Sequence, residues 1–118
     1  MSKKLTGRAE VFVDGKKLEM ENGATLNPGG YTRSPERHGG DTYYTEDEIA
    51  PSVDGVLLHT ADADLISLSN ITGATLMFHC DTGQKYMLRG AFVTEPVALD
   101  AKAGKAPIKF AARSCDKV

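Results

Sequence analysis

Between Thr75 and Val93 the chain reads TLMFHCDTGQKYMLRGAFV, and this stretch limits the folds open to it more than any other. Leu76, Phe78 and Cys80 alternate with Thr75, Met77 and His79. Beyond the connector Asp81-Thr82-Gly83-Gln84, Tyr86, Leu88 and Phe92 alternate with Lys85, Met87 and Arg89. Alternation with period two gives each strand one apolar and one mostly polar face. Gly83 stands where a tight connector needs positive φ. The stretch is therefore a β-hairpin, and a lone hairpin is marginal in water. The rest of the chain must cover its apolar face.

Strand signals supply that cover. Leu5, Gly7, Ala9, Val11 and Val13 alternate with polar neighbours and Phe12 up to Asp14-Gly15, a tight-turn signal, and Leu18 and Met20 continue on a return strand. Glu21-Asn22-Gly23 breaks it. Ala24 to Gly30 is a short extended piece, and Pro28, which has no amide to donate, makes it an edge or a connector. Ser34 to Thr42, with Pro35 and the turn glycines Gly39-Gly40, is the most loop-like stretch. Tyr43 to Ile49 is β-capable but acidic. From Val53 to His59 a strand resumes, and Val56-Leu57-Leu58 is apolar on both faces, the pattern of a doubly covered strand or a subunit contact.

One helix is expected. Thr60 is its N-cap, Asp62 and Asp64 put negative charge in its first turn, and Ala61, Leu65, Leu68 and Ile71 form a stripe ending before Gly73. After a strand broken at Pro96 and a small-residue loop from Asp100 to Ala106, Ile108 to Ala112 reads as the last strand. Arg113 to Val118 reads as a frayed tail. The expectation is one α+β domain over residues 1–118, mostly antiparallel β. Its form is a small β-barrel or sandwich with one flanking short helix and a long hairpin-like loop.

A formal net charge of -2 leaves no basic footprint for sequence-specific nucleic-acid binding. No apolar run is long enough to span a bilayer, so no membrane insertion is expected. Met1-Ser2-Lys3-Lys4 lacks the apolar core of a signal peptide, which points to production in a cytoplasm, and two unpaired cysteines suit that setting.

Three motifs suggest chemistry and each has a plainer account. Asp81-Thr82-Gly83 spells the aspartic-protease triplet, but little chain follows it in which to build the rest of such an enzyme, and Asp-x-Gly is also a common turn. His38, His59, His79, Cys80 and Asp81 lack metal-ligand spacing, and His79 and Cys80 point to opposite faces of one strand. Glu46-Asp47-Glu48, with Asp41 and Asp54, lacks the glycine-punctuated spacing of a calcium loop and reads as a solvated face or a partner contact. No catalytic role, cofactor or metal is expected.

The succession Leu5-Thr6-Gly7-Arg8-Ala9, then Ala24 to Gly30 with Arg33, His59-Thr60-Ala61-Asp62, Phe78 to Tyr86 and Thr94-Glu95-Pro96 resembles the tail tube proteins of Mu-like contractile-tailed bacteriophages. The likeness runs in order from about Leu5 to Phe110. It departs from the pattern where Pro107 begins the last strand and Lys105 stands in place of a common acidic residue. The resemblance implies a tube subunit, forming hexameric rings that stack inside a contractile sheath, with tape-measure and baseplate proteins as further partners. Neighbouring subunits would join their sheets around a lumen that conducts DNA, and the site of action would be the virion tail, assembled in a bacterial host's cytoplasm. Tube rings of type VI secretion systems and contractile bacteriocins share the fold. A soluble ligand-binding β-barrel and a retroviral-type aspartic protease are the alternatives of other classes.

On the tube reading, the segment from Ser34 to Pro51 makes contacts between rings or subunits and is mobile in an isolated subunit. The expected interface residues are Arg33, Arg37, Asp41, Tyr43, Tyr44, Glu46, Asp47 and Glu48, with Val56 and Leu58 supplying apolar surface. Their acids would meet Lys3, Lys4, Arg8, Arg33 or Arg37 of a neighbour.

Overall fold

The computed structural model describes residues 3–21, 23–61 and 64–118. Its central feature is the hairpin of β7 (Ala74–Cys80) and β8 (Lys85–Val93), closed by a turn in which Gly83 has φ +98°. β1 (Ala9–Val13) pairs with β7 on one side and with the two-residue β2 (Lys16–Lys17) on the other. Asp14 and Gly15, at φ +49° and +85°, form the tight connector between β1 and β2. Asp14 also fastens this turn to the hairpin: Thr75 N donates to its carboxylate at 3.0 Å, and its own amide donates to Thr75 O at 2.9 Å.

The other half of the sheet comprises β3 (Thr25–Asn27), β6 (Ser52–Leu58) and β9 (Lys105–Ala111). The strand order is β2-β1-β7-β8-β9-β6-β3, with β10 (Ser114–Lys117) also paired to β8. Every pairing is antiparallel. β9 and β10 are two lengths of one path, since Phe92↔Ala111 and Arg89↔Ser114 lie in a common register. Between them Gly90 takes φ +65°, and the β7–β8 register shifts between Ala74 and Leu76. A residue with a side chain resists that φ, so glycine permits the bend. The bend reverses the alternation on β8. Ala91, not Phe92, faces the core, and Phe92 is 41% exposed, contrary to the uniform alternation read from the sequence.

Both halves share one core, in which Val11, Leu76, Leu88, Val53 and Phe110 are all but inaccessible. Among the described residues, no continuous ladder closes the sheet into a barrel. The Met20↔Leu57 bridge, flanked by Leu58 N to Glu19 O (2.8 Å) and Glu21 N to Val56 O (2.9 Å), ties the chain after β2 to β6. β2 and β3 remain as ends of the strand path.

Four further expectations need correction. The helix α1 (Leu65–Ser69) is capped by Asp64, not Thr60. Asp64 Oδ1 accepts from the amides of Ile66 (3.1 Å) and Ser67 (3.2 Å), and the cap residue at the other end is Asn70, before Gly73. Asp62 lies outside the described residues. Leu65, Leu68 and Ile71 do pack on the core, while Ala61 is exposed. The tail is not frayed: β10 lies along β8 from Tyr86 to Arg89, and half-buried Cys115 packs against the core. At the other end, strand structure begins at Ala9, and Leu5 is 87% exposed.

The last correction is the largest. Ser34 to Thr42 is not a loop but the outer part of a regular ribbon, β4 (Gly30–His38) with β5 (Asp41–Ile49). These strands pair residue for residue, from Gly30↔Ile49 to His38↔Asp41, as a separate two-stranded sheet. Gly39 and Gly40, at φ +59° and +84°, are its two-residue turn.

Candidate assembly surface

The β4–β5 ribbon is an arm. Nine residues per strand give it a length of about 30 Å. It dominates the outline of the chain: the radius of gyration is 17.3 Å, where a compact chain of this length has about 13.5 Å. Every residue of both strands is exposed. The arm leaves the body where β3 and β6 end. Gly29 (φ +82°) packs there so closely that an added Cβ would lie 2.9 Å from Ile49 O and 3.0 Å from the Pro51 ring. Asn27 Oδ1 accepts from Gly29 N at 3.0 Å, fixing the exit. Pro51 is buried, and its carbonyl accepts from Ala112 N at 2.9 Å.

Register divides the arm into two faces, because directly paired residues share a face. One face carries Tyr31, Arg33, Pro35 and Arg37 opposite Glu48, Glu46, Tyr44 and Thr42. Its cations are engaged internally. Arg33 Nε binds Glu46 Oε1 at 3.2 Å with its guanidinium 5.9 Å from the Tyr44 ring centroid, and Arg37 donates to Thr42 Oγ1 at 2.8 Å. The other face carries Thr32, Ser34, Glu36 and His38 opposite Asp47, Thr45, Tyr43 and Asp41, with Ile49 at its base. His38 lies 3.5 Å from Glu36 and near the Tyr43 ring. Among the described residues, Asp41, Asp47 and Glu48 enter no ion pair.

The structure thus gathers Arg33, Arg37, Asp41, Tyr43, Tyr44, Glu46, Asp47 and Glu48 onto one arm and separates them by face. Val56 and Leu58 lie apart from it, on β6. Both are half-buried, opposite Pro107 and Lys105, and Leu58 lines a cleft of about 190 Å³ with Leu18, Leu57 and Leu68. Tyr31 (57% exposed) and Ile49 (40%) are arm residues that the sequence reading passed over. The turn glycines Gly39-Gly40 between β-capable flanks were the available signal for the whole ribbon.

Asp81-Thr82-Gly83 is a clip. Asp81 Oδ1 accepts from Gly7 N at 3.1 Å, Oδ2 lies 3.7 Å from Lys4 Nζ, and Asp81 N donates to Arg8 O at 3.0 Å. Thr6 and Thr82 share a 2.7 Å hydroxyl contact. Partial desolvation pushes the Asp81 carboxyl upward, but the Gly7 amide and the Lys4 ammonium outweigh it and hold the group below its ordinary value. The same turn gathers the other end of the chain, since Val118 N donates to Lys85 O at 2.9 Å. Hydrogen bonds from the Ser67 hydroxyl and amide hold the Asp64 carboxyl low, whereas burial, then the Asp116 charge, pushes the Cys115 thiol up. Among the described residues, no three His, Cys, Asp or Glu side chains gather as a metal site.

The phage tail tube protein family model matches residues 2–117. The Mu-like prophage FluMu tail tube protein of Haemophilus influenzae is 33% identical over 118 residues, which is 100% of this chain and 99% of that protein. Among solved structures, the sheath/tube terminator of the extracellular contractile injection system PVC superposes with a TM-score of 0.70 at 14% identity, covering 100% of this chain and 98% of that one. The anti-feeding prophage tube-terminating cap gives 0.70 at 13% identity, covering 100% and 92%. At these identities the superpositions establish a shared fold.

Proposed function

The chain belongs to the phage tail tube protein family, and from that premise we propose that it is the repeating subunit of a contractile tail's tube. Six copies form a ring, rings stack into a hollow tube within a sheath, and DNA leaves through the lumen. The observation that carries this reading is the arm. A two-stranded ribbon with no residue covered is marginal on its own, so its length and regular pairing call for a surface beyond the chain. A second copy supplies one in any repeating assembly, and head-to-tail contacts close into a ring when the rotation allows.

The open strand path fits the same reading. β2 and β3 end the path without a further strand of the chain, and joining such edges between subunits into a continuous barrel removes them. A formal net charge of -2 is compatible with a neutral or acidic lumen, which does not grip phosphate and lets DNA slide. Sheath, tape-measure and baseplate proteins are the expected partners, and assembly takes place in the cytoplasm of a bacterial host. The prophage relative favours a phage tail over an injection or secretion tube.

Electron microscopy and sedimentation of the purified chain test the proposal. Hollow tubes or six-fold rings are expected at high concentration, and a strict monomer at every concentration and salt tried would overturn it.

A further inference from the structure

The more acidic face of the arm has a counterpart on the body. Glu36, Asp41 and Asp47 share one face, with His38 as its only other titratable neighbour apart from Tyr43. On the opposite face the two arginines are already engaged, by Glu46 and by Thr42. On the body, β8 and its partner β10 carry Lys85, Arg89 and Lys117, and Arg113 stands between β9 and β10; all four are exposed, with Asp116 as the one carboxylate side chain on the two strands. None of these four cations enters an ion pair among the described residues. Arg113 N donates to Arg89 O at 2.9 Å and the Arg113 side chain lies over Gly90, so these two arginines adjoin; Lys85 shares the Arg89 face of β8, and Lys117, opposite Tyr86, flanks the pair from the other face.

The β10 edge is open. The β6–β9 ladder reaches Ser52↔Ala111 and ends with Ala112 N on Pro51 O. Continued, it would lay β5 along β10, but at Pro51 the chain turns out into the arm. β10 therefore pairs with β8 alone. A free strand edge flanked by unpaired cations suits an extended, acidic ribbon.

We propose that the Glu36–Asp41–Asp47 face of one copy's arm docks on the β8–β10 edge of a second copy, against Lys85, Arg89, Arg113 and Lys117. This rests on the assembly reading and specifies which surfaces meet. The contact is rim-like and charged, so several charges act together and added salt weakens it.

The test compares four proteins with wild type at low salt, by sedimentation velocity and negative-stain microscopy. Asp41→Lys with Asp47→Lys reverses the arm face, Arg89→Glu with Lys117→Glu reverses the edge, and a quadruple variant carries all four changes. Lys102→Glu, in the exposed loop before β9, is the control. Each double variant should lower the assembled fraction at least tenfold, the quadruple variant should recover most of it, and the control should stay within twofold of wild type. Recovery in the quadruple variant also excludes misfolding as the cause of the losses. The docking is overturned if the quadruple variant assembles no better than either double, if the doubles assemble like wild type, or if the control falls as far as they do. Wild-type protein that never assembles removes the tube reading, and the docking with it; wild-type assembly indifferent to these changes removes the docking alone.

Discussion

The chain contains two long antiparallel hairpins of opposite character. β7–β8 buries Leu76 and Leu88 completely, one opposite the other, whereas β4–β5 buries nothing. Both have glycine-bearing turns and regular ladders, so hairpin geometry alone does not say what a hairpin is for. The composition of its two faces does. Leu76, Phe78 and Leu88 commit one face of β7–β8 to the core. On β4–β5 tyrosines and charges occupy both faces, so neither face is committed to the core. One hairpin holds the fold, and the other projects from it.

The sharpest way to break this contrast is in the core. Leu88→Ala should cost about 2–5 kcal/mol of folding stability, read from the urea midpoint. Next comes the joint between arm and body. Gly29→Ala forces a side chain into left-handed backbone against Ile49 O and Pro51, and should cost about 1–2 kcal/mol from the backbone conformation. Its more telling readout is the arm's direction by solution scattering. An unchanged scattering profile would mean that this glycine does not set the exit angle.

Asp81→Asn should act more gently, and through pH. A carboxyl held below its ordinary value in the folded chain contributes stability above that value, and the contribution disappears as pH falls through the lowered one. In acid, wild type should lose protection of the Gly7 amide, while the asparagine variant shows a weaker clip with less dependence on pH. Amide exchange followed from neutral pH downward reads this directly. An identical acid profile in the two proteins would place the titrating group elsewhere. The smallest effect belongs to the arm: Tyr44→Ala should change folding stability by less than about 0.5 kcal/mol. A larger loss in the isolated chain would mean that the arm supports the body after all.

The same contrast explains what could be read in advance. β7–β8 was legible because its alternation records contact with a core, as was the Asp14-Gly15 turn, whose positive φ values the residue types announce. The arm was half legible. Tyr43 to Ile49 looked β-capable and Gly39-Gly40 looked like a turn, but Ser34-Pro35-Glu36 has no apolar face, and periodicity detects only strands that bury one. β10 was missed for a related reason: Ser114-Cys115-Asp116-Lys117 has little preference of its own and becomes a strand because β8 offers an edge. At α1 both Thr60 and Asp64 suit a cap, and the Ser67 hydroxyl, 2.9 Å from Asp64 Oδ2, favours the second. The grouping of Arg33 to Glu48 in one charged, tyrosine-bearing segment was legible as composition. Its division into a face that holds both arginines and a more acidic face depended on register, which sequence alone does not supply.

The turn at Asp81–Gln84 holds the N-terminal segment through Asp81 and the last residue through Lys85, so both ends of the described chain meet at the tip of the central hairpin. A short flexible linker between them would close a small loop at little entropic cost. The order of elements along the polypeptide is then separable from the shape they build. The same fold can in principle be encoded with its start at Gly39-Gly40, the far end of the arm.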